Sequence, residues 1–249
     1  MKYSDIADSL PSTNKKVVAV LSGGLDSSVM TTMLAVRYGA DKVVAVSYDY
    51  GQKQKEELTC ASKLCKELGI SHSILDLKIL GDIALPMSAN ISGSDISMPT
   101  ISDVLGDPQP PTYVPFRNMI LISLTLSFAE SNKASHVFTG LQVHDEYGYW
   151  DTSQRFVDSI NAVASQNRTH KVEVLAPFSH LSKKDEIEIM MSMGLEDFLQ
   201  YTLTCYNPEP GPVQCGMCPS CSERIAAFVK AGIKDPVPYG VNIVWSVCA

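Results

Sequence analysis

Short apolar runs alternate with amphipathic stretches along the first third of the chain. Val17 to Leu21 is continuously hydrophobic and runs into Gly23-Gly24, which predicts a buried strand ending in a tight turn. From Ser27 to Arg37, Val29, Met33 and Val36 share one helical face with Met30 and Leu34 beside them, and Gly39 supplies a stop. Val43 to Tyr48 repeats the buried-strand pattern. Within Lys53 to Leu68, the residues Leu58, Ala61, Leu64, Cys65 and Leu68 recur at helical spacing and Gly69 follows. Ser73 to Leu77 resumes a strand. Strand and helix alternating at this spacing imply right-handed crossovers and a parallel sheet covered by helices on both faces, an α/β fold.

Pro86 to Pro115 is rich in Pro, Ser, Gly and Asp without a sustained period, and reads as a long loop. Asn118 to Glu130 is apolar on nearly every side, which predicts a buried helix. Ser135 to Gly140 supplies another strand. Phe156, Ile160 and Val163 mark a helix starting near Ser153, Val172 to Ala176 a strand, and Ser182 to Met193 a helix whose Asp185 and Glu186 suit its N-terminal dipole. After Gly194 the chain turns cysteine- and proline-rich. The expected organisation is a sheet domain over residues 1–194 and a smaller metal-stapled subdomain over 195–249, with no internal repeat.

Composition narrows the function. A 45% hydrophobic content over 249 residues supports a substantial core, and a formal charge of -7 argues against broad adhesion to nucleic acid or anionic lipid. No apolar stretch reaches the length of a membrane span; Met119 to Ala129 is short and broken by Ser123, Thr125 and Ser127. The first sixteen residues lack the apolar core of a secretory signal, so a cytoplasmic protein is expected.

Seven cysteines make an odd count, and four crowd between 205 and 221, which favours a metal in a reducing compartment over disulfides. Cys205, Cys215, Cys218 and Cys221 are spaced so that three thiolates converge on one ion while the first completes a tetrahedron. Four sulfurs close the coordination sphere, so the expected ion is a structural Zn²⁺, with an iron-sulfur cluster as the chemical rival. Cys60 and Cys65 read as small apolar filling on a helix, and Cys248 as a free terminal thiol.

Ser22-Gly23-Gly24-Leu25-Asp26-Ser27, preceded by Leu21, sits between a predicted strand and a predicted helix. Two glycines let backbone N–H groups approach phosphate oxygens, Ser22 and Ser27 add hydroxyls, and the helix N-terminus adds partial positive charge. No Gly-Lys-Ser/Thr follows, and the string is not GxGxxG, so kinase and dehydrogenase readings lose ground. A bare Gly-Gly turn needs no ligand; the serines and aspartate are what make this one a candidate.

The string resembles the SGGxDS loop of the PP-loop ATP pyrophosphatases, which cleave ATP between its α and β phosphates while an acyl group captures AMP. Further strings join it: Asp49-Tyr50-Gly51-Gln52 after the second strand, Val114-Pro115-Phe116-Arg117-Asn118, Thr139-Gly140, and Leu203-Thr204-Cys205-Tyr206-Asn207 leading into the cysteines. Together, from about residue 17 to about 236, they look like the 7-cyano-7-deazaguanine synthase (QueC) family. The resemblance implies a Rossmann-like, adenine nucleotide alpha hydrolase type of sheet and a homodimer, whose interface the apolar tail Val241 to Val247 could join. It also implies an ATP-dependent ligase that adenylates the carboxylate of 7-carboxy-7-deazaguanine, lets ammonia displace AMP, and dehydrates the amide with a second ATP to the nitrile.

By the same resemblance the loop holds pyrophosphate, Asp26 helps place Mg²⁺, and Tyr48, Gln52 and Gly140 join the nucleotide site. Lys183 is expected to contact phosphate, or else to be a solvated helix-start lysine. Arg117, beside Asn118, is expected to meet phosphate or a substrate carboxylate, or else an ordinary acidic partner. Ser22, Asp26, Ser27, Arg117 and Lys183 form the expected catalytic set. Tyr113 is expected to line the substrate pocket. The family's SGYPDCR string stands here as Tyr147-Gly148-Tyr149-Trp150-Asp151-Thr152-Ser153, in which Tyr149 or Trp150 could stack on a purine-like ring and Asp151 accept from its guanidine-like edge. Pro, Cys and Arg of that string are absent. The histidine that often follows the YGQ string is Gln54, and His144 is a lone loop histidine nearby.

These departures open alternatives: a QueC-like enzyme of an antiphage operon that stops at the amide or conjugates the deazaguanine to a protein amine, or a nucleotide-sensing binding module. A tRNA-modifying PP-loop enzyme would want a basic RNA-facing surface, which this acidic chain does not advertise.

Overall fold

The computed structural model describes residues 1–99, 110–142 and 149–245. In chain order the elements are α1 (Tyr3–Ala7), β1 (Val17–Val20), α2 (Leu25–Tyr38), β2 (Val43–Asp49), α3 (Glu56–Leu68), β3 (Ser71–Asp76) and α4 (Lys78–Ala84). They continue with α5 (Arg117–Ser131), β4 (His136–Phe138), α6 (Gln154–Ala164), β5 (Glu173–Leu175), α7 (Lys183–Met193) and α8 (Pro219–Ala231). The expectations for His144, Tyr147, Gly148, Cys248 and the middle of the long loop lie outside the described residues.

All five strands pair in parallel, in the order β3-β2-β1-β4-β5. Alternation along each strand divides the core into two layers. Val17 and Ala19 of β1, Val43 and Ala45 of β2 and Phe138 of β4 pack with α2, α3, α7 and α8. Val18, Val46, Tyr48, Val137 and Val174 pack on the opposite face with α4, α5 and α6. The parallel sheet with helices on both faces is therefore the observed architecture.

The sequence-predicted helices end where their caps say they should. Gly69 and Gly194 take the left-handed conformation after α3 and α7, and Ser182 forms a capping box with Asp185. Three side-chain expectations need correction. Val36 is 48% exposed, because α2 buries Val29, Met30, Met33 and Leu34 instead; Val163 is 69% exposed near the end of α6. Helix α5 is not buried all round. It lies on the outer layer of one sheet face, burying Asn118, Ile122, Thr125 and Ala129 while Met119 and Leu124 stay exposed. Among the described residues, no helix is long and apolar enough to cross a membrane.

The segment after Gly194 packs into the same core layer as the sheet, through Leu199, Ala227 and Phe228. A buried ion pair ties its end down. The Arg224 guanidinium donates to both Asp235 oxygens, at 2.5 and 2.9 Å, and to Thr204 Oγ1 at 2.8 Å, while Tyr239 donates its hydroxyl to Asp235 at 2.7 Å. Arg224 is fully buried, so Arg224→Ala should leave a buried carboxylate uncompensated and cost about 3–5 kcal/mol in urea denaturation. Replacing both partners by apolar residues (Arg224→Met with Asp235→Leu) should recover most of that loss.

Candidate active site

Where the strand order reverses, between β1 and β4, the connections leave the sheet in opposite directions and open a crevice at the carboxyl ends of the strands. The turn after β1 carries residues 21–25, and the turn after β4 carries Thr139 and Gly140. Both line a cleft of about 370 Å³, together with Tyr48, Gln52, Arg117, Asn118, Tyr149 and Lys183.

The β1 turn is built as a cradle. Ser27 Oγ accepts from Ser22 N at 3.1 Å and lies 3.0 Å from Ser22 Oγ, which accepts from Gly24 N at 3.1 Å. The N–H groups of the first turn of α2, from Leu25 to Ser27, have no partner within the helix and point along its axis toward the cleft. Gly23 sits at φ +95, and a Cβ there would lie 1.9 Å from the Glu57 carbonyl oxygen. Gly140 approaches so closely that a Cβ would lie 3.1 Å from Ser27 N. The loop thus has the backbone donors, hydroxyls and close walls that a pyrophosphate group requires. Leu25 contributes only backbone here, since its side chain is fully buried in the core.

Beside the cradle, Lys183 Nζ lies 3.3 Å from Asp26 Oδ1 and 3.3 Å from Glu223 Oε2, and donates to Gln142 Oε1 at 3.3 Å. Burial alone would lower its pKa; the charges of Asp26, Glu223 and Glu186 outweigh that and hold the ammonium charged. Glu186 is fully buried and accepts from Gln142 Nε2 at 2.6 Å. Burial and then the neighbouring Asp26 charge push its carboxyl well above the usual range. One fixed cation among carboxylates at a helix N-terminus is a setting suited to a phosphate chain and a divalent cation. Asp26, on the cleft wall, would be the residue to hold that cation.

The remaining cleft lining is aromatic and polar, with Tyr50, Gln54, Glu57, Asn90, Thr112, Arg117, Tyr149 and Tyr206 on its walls. Of these the sequence reading assigned pocket roles to Arg117 and Tyr149 alone. Burial raises Glu57 to about 8, against the opposing pull of Arg117 and a hydrogen bond from Gln52. The folded chain therefore holds a proton that the unfolded chain releases between about 4.5 and about 8, so folding loses stability as pH rises through that window. Urea melts of Glu57→Gln should match wild type near pH 4.5 and exceed it by on the order of 2 kcal/mol at pH 8.5, a figure reduced for the face open to the cleft.

Three expected substrate residues do not line the cleft. Asp151 is 2% exposed and accepts from Asn118 N at 3.2 Å, while its carbonyl accepts from Asn118 Nδ2 at 3.2 Å. It caps the first turn of α5 and steadies Asn118 through Oδ2 and its carbonyl, and it borders a small adjoining pocket with Arg117 and Tyr149. Trp150 is 48% exposed, packs edge-on against Phe116 and Phe156, and donates to Tyr113 Oη at 3.1 Å. Tyr113 in turn stacks behind Tyr149, with ring centroids 5.8 Å apart. These residues shape the wall from behind.

The four cysteines do converge: their Sγ atoms all lie within 4.8 Å of one another, with Cys205–Cys218 at 4.0 Å and Cys215–Cys221 at 3.8 Å. Zinc bonded at ~2.3 Å to four sulfurs in a tetrahedron needs edges of about 3.8 Å, so the set fits such an ion. Backbone N–H groups of Asn207, Cys215, Met217 and Cys221 point at the sulfurs at 3.3–3.4 Å, the outer shell that orients thiolate ligands. Cys218 caps α8, and hydrogen bonds from Cys205 and then Cys221 hold its thiol far below the usual range. Cys60 packs against this group as a buried residue of α3. The metal segment also forms cleft wall: Leu203 and Thr204 stand just before it, Tyr206, Pro219 and Ser220 within it and Glu223 just after it, and Leu203 N donates to Gly23 O at 2.9 Å.

A phosphate-shaped turn at the switch point of a parallel sheet, stapled to a four-thiolate site, defines an α/β enzyme of the nucleotide-binding class. A family model described as queuosine biosynthesis protein QueC matches residues 16–232. A 7-cyano-7-deazaguanine synthase of Marinomonas sp. (strain MWYL1) is 37% identical over 229 residues, covering 91% of this chain and 99% of its own length. One of Clostridium kluyveri is 35% identical over 234 residues, covering 90% and 98%. The chain belongs to the QueC family.

Proposed function

We propose that this chain is an ATP-dependent carbon–nitrogen ligase that converts 7-carboxy-7-deazaguanine and ammonia to 7-cyano-7-deazaguanine. A carboxylate resists ammonia until one oxygen becomes part of a good leaving group. Transfer of AMP to that oxygen releases pyrophosphate; ammonia then displaces AMP to give the amide. A second adenylation, of the amide oxygen, lets AMP leave again as the C–N triple bond forms.

The observation that carries this reading is one cleft, large enough for a bicyclic base, joining an anion cradle at Ser22–Ser27 to an aromatic, polar lining. In it the first-turn amides, Ser22, Ser27 and Lys183 bind the phosphates and Arg117 meets the substrate carboxylate. Asp26 would hold Mg²⁺, which supplies charge neutralisation on the phosphates. Tyr48, Gln52 and Gly140 wall the nucleotide side. The four cysteines would hold Zn²⁺, which closes their coordination sphere and takes no part in the chemistry. The thiolates stay available in a reducing cytoplasm, and exposed Ile79, Ile83 and Met119 support self-association as a homodimer.

Purified protein with 7-carboxy-7-deazaguanine, ATP, magnesium and ammonia should release AMP and pyrophosphate and yield the nitrile by mass spectrometry. Amide alone, or a product appearing only with an added protein acceptor, would replace this reading with the conjugating one. Lys183→Met should lower kcat by roughly 100-fold or more, since a fixed cation at a developing phosphate charge is worth about 2.7–4 kcal/mol.

A further inference from the structure

Two buried acceptors, Gln54 Oε1 and Asn90 Oδ1, have no hydrogen-bond partner among the described residues, and both residues line the cleft. Gln54 is 9% exposed and Asn90 4%. Leaving such an oxygen dry and unpaired costs about 1–3 kcal/mol, so two on one wall call for an explanation.

Their placement is fixed by the backbone. Gln52 bridges Ile91 in antiparallel fashion, Lys53 N donates to Asn90 O at 2.8 Å, and Ser92 N donates to Gly51 O at 2.8 Å. These bonds staple the turn carrying Gln54 to the segment carrying Asn90. The Asn90 amide is also oriented: its Nδ2 donates to Thr112 O at 3.0 Å, and flipping it would set oxygen against carbonyl oxygen. Oδ1 therefore has to be the free end. Arg117, a pure donor, lines the same cleft and interacts with Tyr50 and Glu57, which leaves Gln54 Oε1 and Asn90 Oδ1 as acceptors without a protein donor among the described residues.

Two unpaired acceptors on segments stapled to each other suit a ring edge that presents two N–H donors side by side. The ring N–H and exocyclic amine of a guanine-type base form such an edge. Adenine sets a ring-nitrogen acceptor beside its amine, which would face one of these oxygens lone pair to lone pair. Resting on the function proposed above, we infer that Gln54 and Asn90 form the specificity subsite that reads the donor edge of the deazaguanine, the task the sequence reading gave to Asp151.

The test uses Gln54→Met and Asn90→Leu, which keep bulk and remove the acceptor. Steady-state kinetics would compare 7-carboxy-7-deazaguanine with its analogue lacking the exocyclic amine, and would separately vary ATP. Wild type should prefer the amino compound by at least about 100-fold in kcat/KM, because its absence strands a buried acceptor. Each variant should raise KM for the acid about tenfold or more, shrink that preference at least tenfold, and leave KM for ATP within twofold. Gln54→Met removes no side-chain hydrogen bond among the described residues, so it stands as the clean test should Asn90→Leu, which loses the Thr112 bond, fold poorly. A rise in KM for ATP with the acid unaffected would move the pair to adenine and overturn the assignment; unchanged preference in both variants would do the same. Failure of wild type to release AMP with the acid defeats the proposed function itself, and is seen before any variant is compared.

Discussion

Cys221→Ala is expected to abolish stoichiometric metal binding and to lower the thermal midpoint by about 10–20 °C. Cys221 is fully buried with Cys205 and Cys215 at the base of the segment that forms one cleft wall. Removing one of four thiolates opens the coordination sphere and leaves three sulfurs to be protonated or hydrated in a dry site. Metal binding to such sets contributes on the order of 10–16 kcal/mol in small free-standing domains. Here the segment also packs into the sheet core through Leu199 and Phe228, so only part of that, roughly 4–6 kcal/mol, should appear as lost global stability. Elemental analysis of purified protein alongside a thermal melt decides the matter. Full metal content in the variant would show that the cysteines are not the ligand set.

The second large effect is expected at Gly23. An alanine there meets two separate penalties: φ +95 is unfavourable for any residue with a Cβ, and that Cβ would fall 1.9 Å from the Glu57 carbonyl oxygen. Neither can be relieved by a rotamer change, because the obstacle is backbone of the residue that starts α3's inner face. Either the β1 turn or the first turn of α3 has to move by more than an ångström. Destabilisation of about 4 kcal/mol or more follows, with a loss of AMP release of at least about 100-fold in whatever fraction stays folded. Circular dichroism melts and pyrophosphate release measure the two parts. Gly24→Ala is the useful contrast: its Cβ would meet Ser22 Oγ at 3.2 Å, a movable hydroxyl, and its φ of -72 is ordinary. It should keep its stability within about 1 kcal/mol while still losing activity.

Periodicity made the sheet readable because parallel strands buried on both faces are written as unbroken apolar runs, as in Val17–Val20 and Val43–Tyr48. The phosphate turn and the cysteine set were readable because each is a local string whose chemistry depends on neighbours within a few residues. Helix α4 was not: Leu80 and Ala84 are buried while Ile79 and Ile83 are 65% and 63% exposed, so apolar residues mark an exposed face as well as the buried one. Helix α5 misled for a related reason. Apolar residues on every side signal burial only if every side is covered, and one layer of structure lies on that face of the sheet. The aromatic, polar part of the cleft lining was the least readable. Asn90, Thr112 and Tyr206 reach it from three distant segments, and Asn90 sits in a stretch whose composition announces only a loop. Asp151 shows the converse, since a carboxylate two positions from an aromatic suits a ligand or a helix cap equally until the position of the α5 N-terminus is known.

The 2.9 Å bond from Leu203 N to Gly23 O gives the metal site a reach beyond its own segment. Gly23 holds its unusual backbone shape because its carbonyl is anchored from outside the turn, and the anchor lies two residues before the first cysteine. Stripping an ion held by the four cysteines would free that anchor, so a chelated sample should first go deaf to nucleotide and only later melt. A chain made where the metal that fills these cysteines is scarce would then persist as folded but idle protein, and its activity would report metal supply rather than the amount of enzyme.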